Sequence, residues 1–310
     1  MRILFWGTPE FAVPSLRALQ EEGHAVVAVV TQPDRPAGRG RKLRPGPVKS
    51  EAEREGIPVL QPDKPRGEQF VQEIAALEPE LSVVAAYGHI LTDEVLAVPL
   101  HGSVNVHASL LPVLRGAAPV NWAIILGHSH SGVTIMRMVR ELDAGPILYR
   151  VATPLPEDIT AGELYLMLGE MGATALIEAL AQLEAGVLEE AEQEHDRATF
   201  APKLSREDAR MNWALDAPAL ACWIRGCDPW PAAWSELEGK TVQLFRPEVV
   251  EGGSGAEPGT VLEAGAREGL RVATGDGSLR IGEVKPAGRA RMSAAAWIAG
   301  RGVAEGDRFL

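Results

Sequence analysis

The chain has 310 residues, of which 46% are hydrophobic and 23% charged, and a formal net charge of −12. That length suits two domains with a sizeable core, and the acidity does not suggest general affinity for nucleic acid while leaving room for a local basic patch. Two cysteines, Cys222 and Cys227, are too few for a disulfide framework or a metal quartet. They are expected to be buried core thiols in a reducing, cytoplasmic setting. No apolar run reaches the roughly 18 residues of a membrane span. The opening MRILFWGTPEF reads as a first strand, not a leader peptide.

Residues 2–6 and 26–31 are short apolar strands flanking a helix over 9–22, which carries Phe11, Leu16 and Leu19 on one face and proline early. Further strands are expected at 57–60, 81–86 and 103–106, with a helix over 66–77. Apolar strands alternating with helices predict a parallel, doubly wound α/β sheet. In such a sheet ligands lie at the carboxyl ends of the strands, near a reversal of strand order. Two more strands are expected at 131–139 and 147–153. A helix over 160–184 follows, with Leu164, Leu168, Met171, Ala175 and Leu176 on its apolar face. Polar text from 186 to 210 reads as an interdomain linker. A helix over 217–226 precedes short strands separated by glycine-rich turns, which predicts a small antiparallel barrel or sandwich. The expected division is 1–189, a linker over 190–207, and 208–310.

Several familiar signals fail. GTPEFAVPS follows the first strand but holds only Gly7, so the glycine pattern of a dinucleotide site is missing. The GDG of ATGDGSL is read as a turn between small strands. His128 and His130 have no companion cysteines or carboxylates in sequence, so no metal is expected. The segment 35–49, RPAGRGRKLRPGPVK, is different: six of its fifteen residues are Lys or Arg and none is acidic. Its prolines at 36, 45 and 47 argue against regular structure. It is a positive patch able to contact phosphates, or else a solvated loop.

The stretch NVHASLLP, 105–112, carries the chemistry. Asn105 and His107 are two apart on an extended segment, so both side chains share a face. An amide and an imidazole converging on one point suit an oxyanion formed in acyl transfer; a satisfied polar pair anchoring the loop is the alternative. Asp143, in ELDAGP between two expected strands, could orient the histidine and raise its basicity, or could be an ordinary turn aspartate.

Taken together, N-x-H-x-S-L-L-P and the loop aspartate resemble the folate-dependent formyltransferases. The agreement extends through FWGTPEFAVPSL, TQPDRPAGRGRKLRPGPVK, VVAAYGHIL, GVTIMRMVRELDAGPIL, APKLSREDARMNW, IRGCDPWPAAW and PAGRARMSA, and so spans both expected domains. Trp6 and Ala108 depart from it, where smaller residues are common.

The resemblance implies a Rossmann-like parallel-sheet N-terminal formyltransferase domain and a smaller C-terminal β-barrel, OB-like, domain. It implies formyl transfer from the co-substrate 10-formyltetrahydrofolate to the amino group of methionyl initiator tRNA, for translation initiation. Asn105, His107 and Asp143 would be catalytic. Ser109, Leu110, Leu111 and Pro112 would bound the folate site, with Tyr87 and Gly88 at the pterin. Arg39 would enter the tRNA acceptor stem, with Arg41, Lys42 and Arg44 on phosphates and Lys203 and Arg206 nearby. A cytoplasmic monomer needing no metal and no membrane is expected. Two alternatives stand beside it: a folate-dependent formyltransferase for a small-molecule amine such as a sugar nucleotide, and an RNA-binding protein with an inactive folate fold.

Overall fold

The computed structural model describes residues 1–37, 42–252, 255–265 and 269–310. Its strands are β1 Arg2–Gly7, β2 Ala25–Val30, β3 Arg35–Ala37, β4 Lys42–Arg44, β5 Val59–Leu60, β6 Leu81–Ala85, β7 Ser103–His107, β8 His130–Arg137, β9 Ile147–Pro154, β10 Trp234–Leu237, β11 Lys240–Val250, β12 Val261–Gly265, β13 Gly269–Ala273, β14 Ser278–Pro286 and β15 Met292–Ser293. The α-helices are α1 Val13–Glu21, α2 Pro47–Arg54, α3 Glu68–Ala75, α4 Asp93–Leu96, α5 Pro119–Ile125, α6 Ala161–Glu184, α7 Ala217–Cys227 and α8 Ala294–Ala299.

The chain divides into two compact units. The first comprises Met1–Pro119, His130–Pro154 and Tyr165–Ala201. It holds a seven-stranded sheet in the order β5-β2-β1-β6-β7-β8-β9. β5, β2, β1, β6 and β7 run parallel, as their near-continuous apolar text demands. The chain winds to one side of β1 through β2 and β5, then to the other through β6 and β7. The reversal of strand order therefore lies between β1 and β6.

The last two strands depart from the expected parallel sheet. β8 is antiparallel to β7 and β9 antiparallel to β8. Only residues 138–146 join β8 to β9, too few for a parallel crossover, so a hairpin is the accessible connection.

Trp6, Leu4, Val30, Phe70, Ile74 and Tyr87 form the core on one side of this sheet. On the other side, α6 approaches closely through glycines. A Cβ on Gly169 would come within 3.2 Å of the Phe11 carbonyl oxygen, and one on Gly172 within 2.8 Å of Val106 Cγ1. Among the described residues α6 is the one helix long and apolar enough, by length and composition, to cross a membrane. The expectation that no segment reaches that threshold overlooked it, because its glutamates interrupt the apolar run. Leu164, Leu168, Leu176 and Leu180 on it are buried, as in a core helix.

The segment 35–49 is more regular than its prolines suggest. β3 and β4 pair antiparallel, with Pro36 opposite Leu43, and Pro47 begins α2 in the first turn, where its missing N–H costs nothing. An isolated two-stranded ladder has solvent-facing N–H positions that tolerate proline.

The expected linker is also ordered. Isolated bridges pair Ala191 with Ile147 and Phe200 with Arg115, and Gln193 and Ala201 are buried. Most of its charged side chains are exposed, as its polar text suggests, while Gln193 and Ala201 anchor it.

The second unit comprises Val120–Ser129, Leu155–Leu164 and Pro202–Leu310. Its antiparallel sheet runs β10-β11-β14-β13-β12, with β15 on β14. Phe309 bridges to Leu237 at the end of β10, and Arg308 bridges to Thr260 beside β12. This short segment spans the two edge strands and closes the sheet into a small barrel. α7 is N-capped by Asp216, whose side chain accepts from the Ala219 N–H at 2.8 Å. Cys227 is buried, and burial pushes its thiol up to about 12. Cys222 is only partly buried, contrary to expectation, and accepts from the Arg225 guanidinium at 3.3 Å.

Candidate active site

β7 delivers Asn105 and His107 to the carboxyl end of the sheet. Its register sets Asn105 beside Val84 of β6, and Val84 beside Trp6 of β1, so Asn105 lies on the Trp6 face. Alternation puts His107 on that face too. Asn105 is partly exposed, and among the described residues its amide has no hydrogen-bond partner. It is therefore free to donate to a ligand. His107 is 5% exposed. Its Nε2 lies 3.1 Å from the Leu114 carbonyl oxygen. A carbonyl only accepts, so Nε2 carries the hydrogen. Nδ1 faces Asp143 Oδ2 at 3.7 Å, within ion-pair range but beyond a direct hydrogen bond.

Asp143 stands in the β8–β9 connection with φ +49°, a conformation aspartate tolerates better than most side chains. The same Oδ2 accepts from the Gly116 N–H at 2.8 Å. Gly116 has φ +117°, and a Cβ there would lie 2.8 Å from the Ala201 carbonyl oxygen, so only glycine fits. The loop after β7 thus returns to hold the carboxylate that faces its own histidine.

That loop is braced at several points. Ser109 Oγ donates to the Val113 carbonyl at 2.6 Å, and Thr134 Oγ donates to the Ser109 carbonyl at 2.7 Å. The Leu111 N–H donates to Thr134 Oγ at 3.1 Å, and Arg150 donates to the Leu111 carbonyl at 3.0 Å. Ser109 and Leu111 are buried, whereas Leu110 and Pro112 are partly exposed. The Ser109 hydroxyl is therefore already engaged inside the loop.

Tyr87 and Gly88 follow β6 at the strand-order reversal. The Tyr87 ring packs edge-on against Trp6, at 5.3 Å between centroids. Its hydroxyl has no partner among the described residues, and burial raises its pKa to about 12. The Tyr87 carbonyl accepts from Thr8 Oγ at 3.2 Å and from Gln32 Nε2 at 2.9 Å. Gly88 has φ +85°, and a Cβ there would meet Gln32 Nε2 at 2.5 Å.

Of the basic residues, Arg39 and Arg41 lie outside the described residues, as does the Lys42 side chain. Arg44 is exposed on β4, opposite Arg35. Lys203 and Arg206 are exposed in the second unit. The Arg206 guanidinium sits 5.7 Å from the Trp234 ring centroid, and its carbonyl accepts from Trp234 Nε1 at 2.7 Å, so it also has a packing role.

Sequence reasoning does not single out Arg115, Gly116 or Gln193, which also hold the Asp143 loop. The RG following LLPVL offers a signal for the first two. Nothing local marks a lone glutamine in acidic text.

Comparisons with known proteins bear on this site. The family model for formyl transferase matches residues 1–180, and that for the formyl transferase C-terminal domain matches residues 203–302. A methionyl-tRNA formyltransferase of Desulfotalea psychrophila is 48% identical over 301 residues, 97% of this chain and 93% of the relative. Among solved structures, HypX from Aquifex aeolicus in complex with tetrahydrofolic acid aligns at TM-score 0.66 and 22% identity, over 96% of this chain. This chain spans only 46% of that longer protein. A methionyl-tRNA formyltransferase from Clostridium thermocellum aligns at TM-score 0.57 and 15% identity, over 80% of this chain and 93% of its own. At such identities the solved structures speak to the fold alone. The sequence matches go further, and with 48% identity across nearly the whole length the chain belongs to the formyltransferase family.

Proposed function

We propose that the chain transfers the formyl group of 10-formyltetrahydrofolate to the α-amino group of methionyl initiator tRNA. The observation that carries this reading is the near full-length relationship to a methionyl-tRNA formyltransferase. The partly exposed Asn105 beside the His107–Asp143 pair supplies the chemistry.

The α-amine titrates near pH 7.7, so a useful fraction is neutral and nucleophilic at physiological pH. Its nitrogen forms a bond to the formyl carbon, and the carbonyl electron pair moves onto oxygen. Asn105 donates to that oxyanion. Collapse restores the carbonyl, breaks the bond to the folate N10 and leaves the formyl group on methionine. The nitrogen that attacked loses a proton and N10 gains one. His107 handles this proton, with the Asp143 carboxylate facing its Nδ1. To face the reacting atoms, His107 exchanges its Nε2–H bond to the Leu114 carbonyl for one to the substrate.

In this proposal Ser109 to Pro112 bound the folate, chiefly through backbone, and Tyr87 and Gly88 flank the pterin at the strand-order reversal. Arg39 enters the acceptor stem, with Arg41, Lys42 and Arg44 on phosphates and Lys203 and Arg206 on the flank. Residues 1–189 serve as the catalytic part and 208–310 as the tRNA-binding part, in a single cytoplasmic subunit.

Removing one oxyanion donor costs on the order of 10²–10³ in rate. Asn105→Ala should therefore lower formyl transfer by that factor while folate still binds. A variant with the rate of the parent would remove Asn105 from the mechanism.

A further inference from the structure

Asp143 faces His107 from a left-handed backbone conformation, φ +49°. Gly116 fixes the carboxylate, but something else must fix the backbone. Gln193 does so: its Nε2 donates to the Asp143 carbonyl at 2.9 Å and to the Gly145 carbonyl at 2.7 Å. One carboxamide thus spans both ends of the Asp143–Gly145 turn.

The orientation of that amide follows from its other neighbour. The Arg115 guanidinium lies within 3.2 Å (Nε) and 2.6 Å (terminal nitrogen) of Gln193 Oε1. Arginine has donors only, so the amide oxygen must face it, which leaves the NH2 group for the two carbonyls. The same argument makes His195 Nδ1, at 2.9 Å from Arg115, an acceptor. Arg115 and Gln193 are 7% and 4% exposed. Among the described residues no ion pair joins Arg115 to a carboxylate. A buried guanidinium without a counter-ion is unfavourable for stability alone. Its position is explained by what it orients. Arg115 is also pinned by its own backbone, with its N–H to the Thr199 carbonyl at 2.9 Å and its carbonyl to the Ala201 N–H at 2.7 Å. The next residue, Gly116, is the one that holds the Asp143 carboxylate.

We propose that Gln193, oriented by Arg115, is a positioning residue for formyl transfer, acting through Asp143. The inference rests on the function proposed above and adds to it two residues remote from the reacting atoms.

The test is a double-mutant cycle read by single-turnover formyl transfer from 10-formyltetrahydrofolate to methionyl initiator tRNA, with enzyme in excess so that slow variants are still measured. Gln193→Met keeps the volume and removes both donors. In the parent background it should lower the saturating single-turnover rate constant by about 10- to 100-fold, the effect of a misplaced reacting group, with the half-saturating enzyme concentration nearly unchanged. In an Asp143→Asn background it should cost nothing further, because its effect passes through that carboxylate. An equal fold-loss in both backgrounds, or no loss in the parent, overturns the proposal. Should Gln193→Met fold poorly, Gln193→Glu takes its place: it still accepts from Arg115 but cannot donate to the turn, so the same loss is expected and parental activity overturns the idea. If the parent enzyme itself transfers no formyl group, the proposed function fails first.

Discussion

At the scale of the residue, the site rests on backbone positions that few side chains allow. Asn105 and His107 are legible in the sequence because strand alternation alone puts them on one face. Asp143 is legible because a lone aspartate between two strands is free to reach a site. What local pattern cannot supply is the set of partners that makes the aspartate useful. Gly116 and Gln193 act through contacts 27 and 50 residues from Asp143 in the chain, and those separations have meaning only once β8, β9 and the strap after α6 are in place. The role of Ser109 is partly hidden for the same reason, since its hydroxyl is occupied by Val113. Gly116→Ala tests the scale directly. The new methyl meets the Ala201 carbonyl at a φ that alanine disfavours. The strain should lower stability by about 1–3 kcal/mol, measured by denaturant unfolding, and should reduce formyl transfer by more than that loss of folded protein explains. A variant as stable and as active as the parent would contradict the tight turn described here.

At the scale of the element, the long periodic segments are the readable ones. β1, β2, β6, β7, α6 and α7 fall within a few residues of their sequence expectations. The short pieces do not announce themselves: α4 and α8 have four and six residues, too few for a period to show. The direction of β8 and β9 is a property of connection length, which no pattern within either strand encodes.

Helix α2 illustrates how an element is tied to its neighbours. Its Glu51 is 6% exposed and receives two hydrogen bonds from Arg17 of α1, at 2.5 and 3.0 Å. The Arg17 guanidinium, reinforced by Arg54, holds the Glu51 carboxyl below its ordinary value. A depressed folded-state pKa stabilises the fold above the unfolded value, here near 4.5, and that stabilisation is lost as pH falls through the folded pKa. The melting temperature should therefore drop as pH falls below about 4.5, and Glu51→Gln should flatten this part of the profile. An unchanged acid limb in Glu51→Gln would show that the pair contributes nothing measurable.

At the scale of the whole molecule, two units with different logic share one chain. The first is a parallel-rich sheet with Tyr87 at its strand-order reversal and Asn105 and His107 at the β7 terminus. The second is a barrel whose closure depends on a few residues. Short strands and glycine turns make that barrel predictable as a class, but the strap that closes it is not legible, because GDRFL has no strand pattern of its own. Phe309 is 1% exposed and packs against the Trp213 and Trp297 rings at 5.6 and 6.5 Å between centroids. Phe309→Ala should cost about 3–5 kcal/mol, seen in the unfolding of the second unit. A loss within a few tenths of a kcal/mol would mean that the barrel closes without it.

In the proposed function one chain joins folate chemistry to a specific tRNA acceptor. The most direct measurement is formyl transfer from 10-formyltetrahydrofolate to methionyl initiator tRNA, compared side by side with methionyl elongator tRNA. Transfer to the initiator should be rapid, and transfer to the elongator slight. Folate binding without transfer to either tRNA would contradict it and would point to a different amine as the acceptor.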